Sequence, residues 1–389
     1  MNLHEYQAKA LLRSYGIPMP QGAIAATADE ARQRAEEIGG DAWVLKAQVH
    51  AGERQAAGGV RMLGSVAEVA AAADELLGRK IVTGQTGRDG LLIKKVYVEQ
   101  ACDVDRELYA ALMVNRTRAR IDLVAAAQGG EGVELALAER EALVDLPLGG
   151  PGLSDDDRKQ LAKRLDLTAD QAGKLADIAT RAHKAFVETD ASLIEFNPLA
   201  LTRAGEMVAL DVKMVLDDNA LARHPNLLEL RDEDEVDPQE REASRYEHNY
   251  ARMDGNIGLM TTGAGLGLAA IDLIKDEGGE PANFMDTRPM ASRNQIAEGI
   301  LLLLRDRRVR VVLVMAIGGG ILHCDTIAEG IAAAFRQSQA EVPVVYYAAG
   351  TGKEISELTL RNQGIPVIFA DSMEDAAHEA VRIAGTGAG

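Results

Sequence analysis

The chain has 389 residues, of which 42 are Lys or Arg and 60 are Asp or Glu, for a formal net charge of −18. That balance excludes a broad nucleic-acid surface, which needs clustered Lys and Arg to neutralise phosphates, and it excludes a polybasic membrane anchor. The length suits two or three domains, and an apolar content of 47% supplies their cores. Only Cys102 and Cys324 are present, so no disulfide framework is expected. No apolar run approaches the ~18 residues of a membrane-spanning helix. The opening stretch, Met1 to Lys9, is amphipathic and carries Glu5, unlike a signal or transit peptide. The expectation is a soluble protein of a reducing, cytoplasmic compartment. An aromatic content of 4% favours Ala/Leu/Val-packed α/β layers over a β-sandwich.

Asn2 is a candidate cap for a helix with Leu3, Tyr6, Ala10, Leu11 and Tyr15 along one side, stopped by Gly16. A short strand is expected at 21–26, a helix from Asp29 to Ile38 and a buried strand at 42–49. The loop His50 to Gly59 leads to a strand, Val60 to Leu63, and a helix at 66–77. Antiparallel strands are expected at 91–100, 107–115 and 119–128, the last two joined by the polar turn Asn115-Arg116-Thr117-Arg118. Helices near 154–165 and 168–188 precede short strands at Leu193–Phe196 and Met207–Lys213. The acidic stretch at 228–243 reads as a solvated linker with some helix. The expected domains are therefore 1–235 and 246–389, with a linker at 236–245. Beyond it, apolar strands at 256–261, 283–286, 309–317, 342–349 and 365–370 alternate with helices near 264–275, 292–304, 324–337, 353–363 and 372–384. This rhythm predicts a parallel, doubly wound sheet, whose ligands sit beyond the carboxyl ends of its strands.

Several polar residues stand in apolar surroundings. Lys46 lies inside Val44-Leu45-Lys46-Ala47, where a buried ammonium is costly unless paired. A phosphate is one partner; snorkelling from an edge strand is the alternative. The following loop supplies glycines and Arg54, which suit phosphate oxygens, although a plain hairpin loop has the same composition. It is not a P-loop, because no Gly-Lys-Ser/Thr opens a helix there. Glu99 and Glu107 flank a short connection and suit either a ribose or the surface. Glu195 and Asn197 end a strand amid apolar neighbours, and Asp211 sits in another apolar strand. Magnesium takes a few carboxylate or amide oxygens plus phosphate and water, so Asn197 and Asp211 on neighbouring strands suit it; hydrogen-bonded core polars are the alternative.

Taken together, these positions resemble one family, the β-subunits of ADP-forming succinate–CoA ligase and of its relative malate–CoA ligase. The likeness runs through Asn2-Leu3-His4-Glu5-Tyr6-Gln7-Ala8-Lys9, Lys46-Ala47-Gln48-Val49-His50-Ala51-Gly52, Glu107-Leu108-Tyr109, Glu195-Phe196-Asn197-Pro198-Leu199, Asp218-Asn219-Ala220-Leu221, Asp254-Gly255-Asn256-Ile257-Gly258, Gly278 to Phe284 and Cys324-Asp325. The resemblance implies an N-terminal ATP-grasp half and a C-terminal flavodoxin-like ligase half. It implies a partner α-subunit that carries the CoA site and a phosphorylated histidine. ATP would phosphorylate that histidine; the phosphoryl group would pass to a carboxylate, and CoA would displace it as a thioester. It further implies that Lys46 and Arg54 contact phosphates, that Glu99, Cys102 and Glu107 line the nucleotide, that Asn197 and Asp211 hold Mg2+, and that Glu195 orients the partner's histidine. Pro20 is similar to the ATP-preferring relatives. The helix after Gly318-Gly319-Gly320 offers backbone N–H groups to a phosphate.

The departures from that family are local. Glu53 and Gln55 replace glycines beside Arg54, and Glu53 is an unfavourable neighbour of polyphosphate unless it points away. Asp286-Thr287-Arg288-Pro289-Met290-Ala291 stands where relatives carry three successive glycines. Thr262 stands for an asparagine, His323 for an arginine, and Tyr347 to Gly352 for a different loop. All lie at strand ends or helix starts, the ligand edge of such a sheet. The substrate residues expected there are Thr262, Arg288, Gly320, Ile321, Leu322 and His323. Arg288 suits a second anionic group, carboxylate or sulfonate, so a substituted or sulfonated short acid is expected. Ordinary succinate or malate is the alternative, and a non-catalytic nucleotide-binding paralogue is an alternative of another class.

Overall fold

The computed structural model describes all residues except 87–89, 131–132, 134–142, 151, 233–235, 339 and 386–389. The chain divides into two compact units, Met1–Glu235 and Val236–Gly389.

The first unit opens with helix α1 (Glu5–Ser14). It is anchored before its first turn, where the Leu3 N–H donates to Met214 O at 3.1 Å. Gln7 Oε1 accepts the His4 backbone N–H at 2.9 Å, so the helix starts after His4 rather than at a cap on Asn2. Its buried face is Glu5, Ala8, Lys9 and Leu12; of the stripe that hydropathy suggests, Leu3 is buried ahead of the helix, Leu11 and Tyr15 pack only partly buried, and Ala10 is exposed. Two charged residues share that face because each meets an opposite charge inside the unit.

Strands β1 (Gly22–Ala25), β2 (Trp43–Ala47) and β3 (Val60–Leu63) follow, with α2 (Ala28–Ile38) and α3 (Val66–Leu76) packed beside them. The strand expected at 91–100 is interrupted: β4 (Lys80–Ile81) pairs β5 (Leu91–Leu92), and β6 (Val96–Gln100) is separate. Strands β1, β6, β2 and β3 form one sheet in that order.

A second sheet is built from β7 (Val104–Asn115), β8 (Arg120–Ala126), β9 (Leu143–Pro147), β10 (Ala191–Thr202), β11 (Met207–Ala209) and β12 (Val212–Leu216). Helices α4 (Asp155–Arg164) and α5 (Ala169–Glu188) cover it, burying Leu161, Leu175, Ala179 and Phe186 against Leu112, Ile194 and Phe196. The strand expected at 207–213 is two strands, and Asp211 lies in the break between them.

The second unit begins inside the stretch read as a linker. Helix α6 (Pro238–Arg245) is capped by Asp237, and its Ala243 is 1% exposed in the unit's core. Residues 238–245 are therefore part of this unit, seated by Ala243 and by hydrogen bonds of Gln239 to Asp306 and of Arg305 to Glu242. An antiparallel edge strand, β13 (Asn249–Arg252), was not expected; it is exposed and polar, so it carries no apolar signal. Then come β14 (Ile257–Thr262), α7 (Ala264–Asp276), β15 (Asn283–Thr287), α8 (Arg293–Arg305), β16 (Val311–Gly318), α9 (Cys324–Ser338), β17 (Val344–Gly350), α10 (Lys353–Asn362), β18 (Val367–Phe369) and α11 (Met373–Gly385). The sheet order is β13-β15-β14-β16-β17-β18, all parallel beyond the edge strand. That is the doubly wound order whose switch point falls between β14 and β16. Among the described residues, no helix is long and apolar enough to cross a membrane.

Candidate functional site

Lys46 is on β2 and points into the first unit at 6% exposure. Its ammonium donates to Glu5 Oε1 at 2.8 Å, meets Glu99 Oε2 at 2.8 Å and donates to Leu210 O. Lys9 reaches the same point, 3.0 Å from Glu5 Oε1, bonding Glu99 and donating to Leu210 O at 2.6 Å. Arg54 comes from the loop after β2 at 8% exposure. Its guanidinium donates to Glu5 Oε2 at 2.8 Å, to Asp211 Oδ2 at 2.7 Å and to Ala47 O at 2.9 Å. Three cations, Lys9, Lys46 and Arg54, thus face three carboxylates, Glu5, Glu99 and Asp211.

The electrostatics follow from that packing. Burial alone would push the Glu5 carboxyl up, but Lys46, Lys9 and Arg54 outweigh it and hold it well below the usual carboxylate range. Burial works against the Lys46 ammonium too, yet Glu5, Glu99 and Asp211 raise its pKa, so it stays charged. Burial and then the neighbouring Lys46 push Lys9 down. Cys102, half-buried in the connection from β6 to β7, has its thiol pushed up by burial and then by Glu99.

The magnesium candidates adjoin this cluster. Asn197 is on β10, and its backbone N–H donates to Asp211 O at 3.2 Å. Asn197 Oδ1 accepts the Gly130 N–H at 2.7 Å, and Asp211 Oδ1 accepts the Val212 N–H at 2.8 Å. Among the described residues no group of three His, Cys, Asp or Glu could cage a metal. An amide oxygen and a carboxylate next to phosphate-type cations fit Mg2+, which keeps most of its shell for water and substrate phosphates. Glu195 lies two residues before Asn197 on the same strand, so both leave the face opposite the buried Ile194 and Phe196. Glu107 is exposed on β7, and its carboxylate lies over Gly130, where a Cβ would come within 2.3 Å of Oε2.

Glu53 is turned aside. Its carboxylate accepts the Gly84 N–H at 3.0 Å, while Arg54 enters the cluster. Glu53, with a left-handed backbone (φ 58°), is thus bonded away from the cluster that Arg54 enters.

Composition did not single out Glu5, Lys9 or Gly130 as functional. The available signal is two charged residues at i and i+4 on the same face of α1 as Ala8 and Leu12, and a Gly129-Gly130 pair after β8.

In the second unit the expected substrate residues gather at the carboxyl ends of β14, β15 and β16. Thr262 is opposite Thr287, one residue before Arg288. Its hydroxyl accepts the Ile317 N–H at 2.8 Å, tying β14 to the end of β16. Arg288 is exposed and has no side-chain partner among the described residues. Gly320 and Ile321 are exposed and Leu322 is buried, with Leu322 O accepting the Gly319 N–H at 2.9 Å. His323 Nδ1 is 3.8 Å from Asp325 Oδ1, near but beyond hydrogen-bond distance. The N-terminal end of α9 begins at Cys324. A recess of about 520 Å³ lies at the opposite edge of this sheet, lined by Asp254, Asn256, Glu280, Arg307 and Arg310, and contains none of these residues.

A family model described as an ATP-grasp domain matches residues 2–201, and one described as CoA-ligase matches residues 260–381. The chain is 44% identical over 383 residues to the succinate–CoA ligase [ADP-forming] subunit beta of Thioalkalivibrio sulfidiphilus, covering 98% of this chain and 99% of that one. It is 42% identical to the protein of the same name from Paramagnetospirillum magneticum, covering 98% of each. Among solved structures, ATP citrate lyase from Methanothrix soehngenii, in complex with citrate and coenzyme A, has a TM-score of 0.74 at 16% identity, covering 98% of this chain and 99% of that one. That likeness supports the fold. By its two domain matches and its full-length relatives, the chain belongs to the family of ADP-forming succinate–CoA ligase β-subunits.

Proposed function

We propose that this chain is the nucleotide-binding β-subunit of a ligase that joins a substituted or sulfonated short carboxylic acid to CoA. Family membership makes it an acid–thiol ligase subunit that uses ATP, CoA and Mg2+. The observation that carries the nucleotide reading is the contact between Arg54 and Asp211 at 2.7 Å. It joins a phosphate-type cation to a magnesium-type oxygen in one buried cluster.

In this reading Lys46 and Arg54 bind the polyphosphate, and Glu99, Cys102 and Glu107 line the rest of the nucleotide. Asn197 and Asp211 hold Mg2+, which supplies charge neutralisation to the phosphates. Glu195 orients a histidine on a partner α-subunit, which also carries the CoA site. The γ-phosphoryl group leaves ADP for that histidine nitrogen, then passes to the acid's carboxylate oxygen. The CoA thiolate attacks the acyl carbon, phosphate leaves, and a thioester remains. Such transfers need positioning and charge neutralisation more than covalent chemistry from this chain.

The acid is read from the second unit. Arg288 has no side-chain partner among the described residues, and its position at a strand end suits a fork to a second anionic group. Thr262, Gly320, Ile321, Leu322 and His323 complete the proposed substrate edge. Succinate is the second reading, favoured by the names of the relatives.

The test is CoA-dependent ADP release by the chain co-purified with its partner, offered succinate, malate, itaconate and sulfoacetate in parallel. The expected outcome is preference for the sulfonated or bulkier acid. In that case Arg288→Ala lowers kcat/KM for it by about 10- to 100-fold, the size of one charged hydrogen-bonded contact. Preference for succinate, unaltered by Arg288→Ala, would contradict the proposal for the acid.

A further inference from the structure

The carboxylates around Lys46 are of two kinds. Glu5 is 4% exposed and bonds all three cations: Lys46 at 2.8 Å, Lys9 at 3.0 Å and Arg54 at 2.8 Å. The Asp211 side chain is 32% exposed and meets one cation, Arg54. Glu5 is thus enclosed by the cluster, whereas Asp211 is at its open side.

We propose that Glu5 is the positioning residue of the nucleotide site. Resting on the nucleotide reading above, it holds Lys46 and Arg54 as a preset pair, with Lys9 behind them neutralising Glu99. Asp211 is the exchangeable partner of Arg54. Three cations balance three carboxylates while Asp211 is engaged. When Asp211 turns to a metal ion, three cations face two carboxylates, and the net positive charge meets the incoming phosphate. Glu5 remains throughout, because without it two buried like charges would repel one another and lose their common acceptor.

Two accounts of Glu5 predict opposite results. If Glu5 acted only through its charge, Glu5→Gln would make the cluster more positive and tighten phosphate binding. As a positioning residue, its loss weakens binding. The measurement is the dissociation constant of magnesium ADP for the full-length chain by titration calorimetry. For Glu5→Gln the expected constant is about tenfold larger than wild type, as for other residues that orient ligands from behind. Glu5→Asp keeps the charge count while shortening the reach by one methylene; weaker binding than wild type is again expected, at a temperature where the variant is folded by circular dichroism. In the complex, the KM for ATP rises in both variants and the KM for CoA does not. Wild-type affinity in Glu5→Asp, or tighter binding in Glu5→Gln, would overturn the inference while leaving the nucleotide reading intact. Failure of the wild-type chain to bind magnesium ADP would overturn both.

Discussion

Lys46 and Arg54 were legible in sequence because a charge inside an apolar strand, and an arginine in a glycine-containing loop, need partners. Their actual partners were not. Glu5 and Lys9 interrupt the buried face of α1, so hydropathy assigned that helix a different side. Their burial depends on charges distant in sequence, at Lys46, Arg54 and Glu99, and no local pattern reports such a pairing. Asp211 was recognised as a metal-type oxygen, but its present bond to Arg54 is a tertiary fact.

His50 follows the same logic at the neighbouring turn. Burial, and then the His4 ring 4.1 Å away, push its pKa down to about 4; Asp232 opposes this. The folded state therefore holds His50 neutral, while the unfolded chain protonates near the ordinary value of about 6.5. His50 contributes stability above pH ~6.5, and that contribution is lost as pH falls towards the folded value, at a limiting slope of about 1.4 kcal/mol per pH unit. His50→Gln is expected to flatten the fall in melting temperature between pH 7 and pH 5. An unchanged slope would contradict this account.

Elements are legible in the sequence wherever their burial is apolar and continuous. Strands β14, β15, β16 and β17 were legible because both faces are covered, which leaves long apolar runs. The polar edge strand β13 and the short helix α6 were not, because each is seated by few buried residues. Backbone irregularity leaves no hydropathy signal: β5 and β6 lie in one continuous strand-like stretch, as do β11 and the start of β12. Packing between elements is testable at α8 and α9. Gly330 on α9 approaches α8 so closely that a Cβ would lie 2.5 Å from Ile296 Cγ2 and 3.1 Å from Arg293 O. Gly330→Ala is expected to destabilise the protein by about 1–3 kcal/mol, measured by denaturant unfolding, because backbone and a packed side chain must both shift. A neutral substitution would show that the helices separate freely there.

Across the whole molecule, a chain of net charge −18 gathers three cations at one point of its first unit, where Glu5, Glu99 and Asp211 balance them. The cost of burying these cations is offset by Glu5, Glu99 and Asp211, which hold Lys46 and Arg54 in their charged forms. The second unit supplies a doubly wound sheet with Thr262, Arg288 and His323 at the carboxyl ends of its strands.

The most direct test of the phosphoryl-transfer scheme is a single turnover without acid or CoA. The chain, assembled with its partner α-subunit, is mixed with magnesium ATP labelled in the γ-phosphate, and label on each chain is followed with time. The account predicts an acid-labile phosphohistidine on the partner and formation of ADP in equal amount, with transfer slowed by about 100-fold or more in Lys46→Ala. Label that never reaches the partner, or a Lys46→Ala rate equal to wild type, would contradict it.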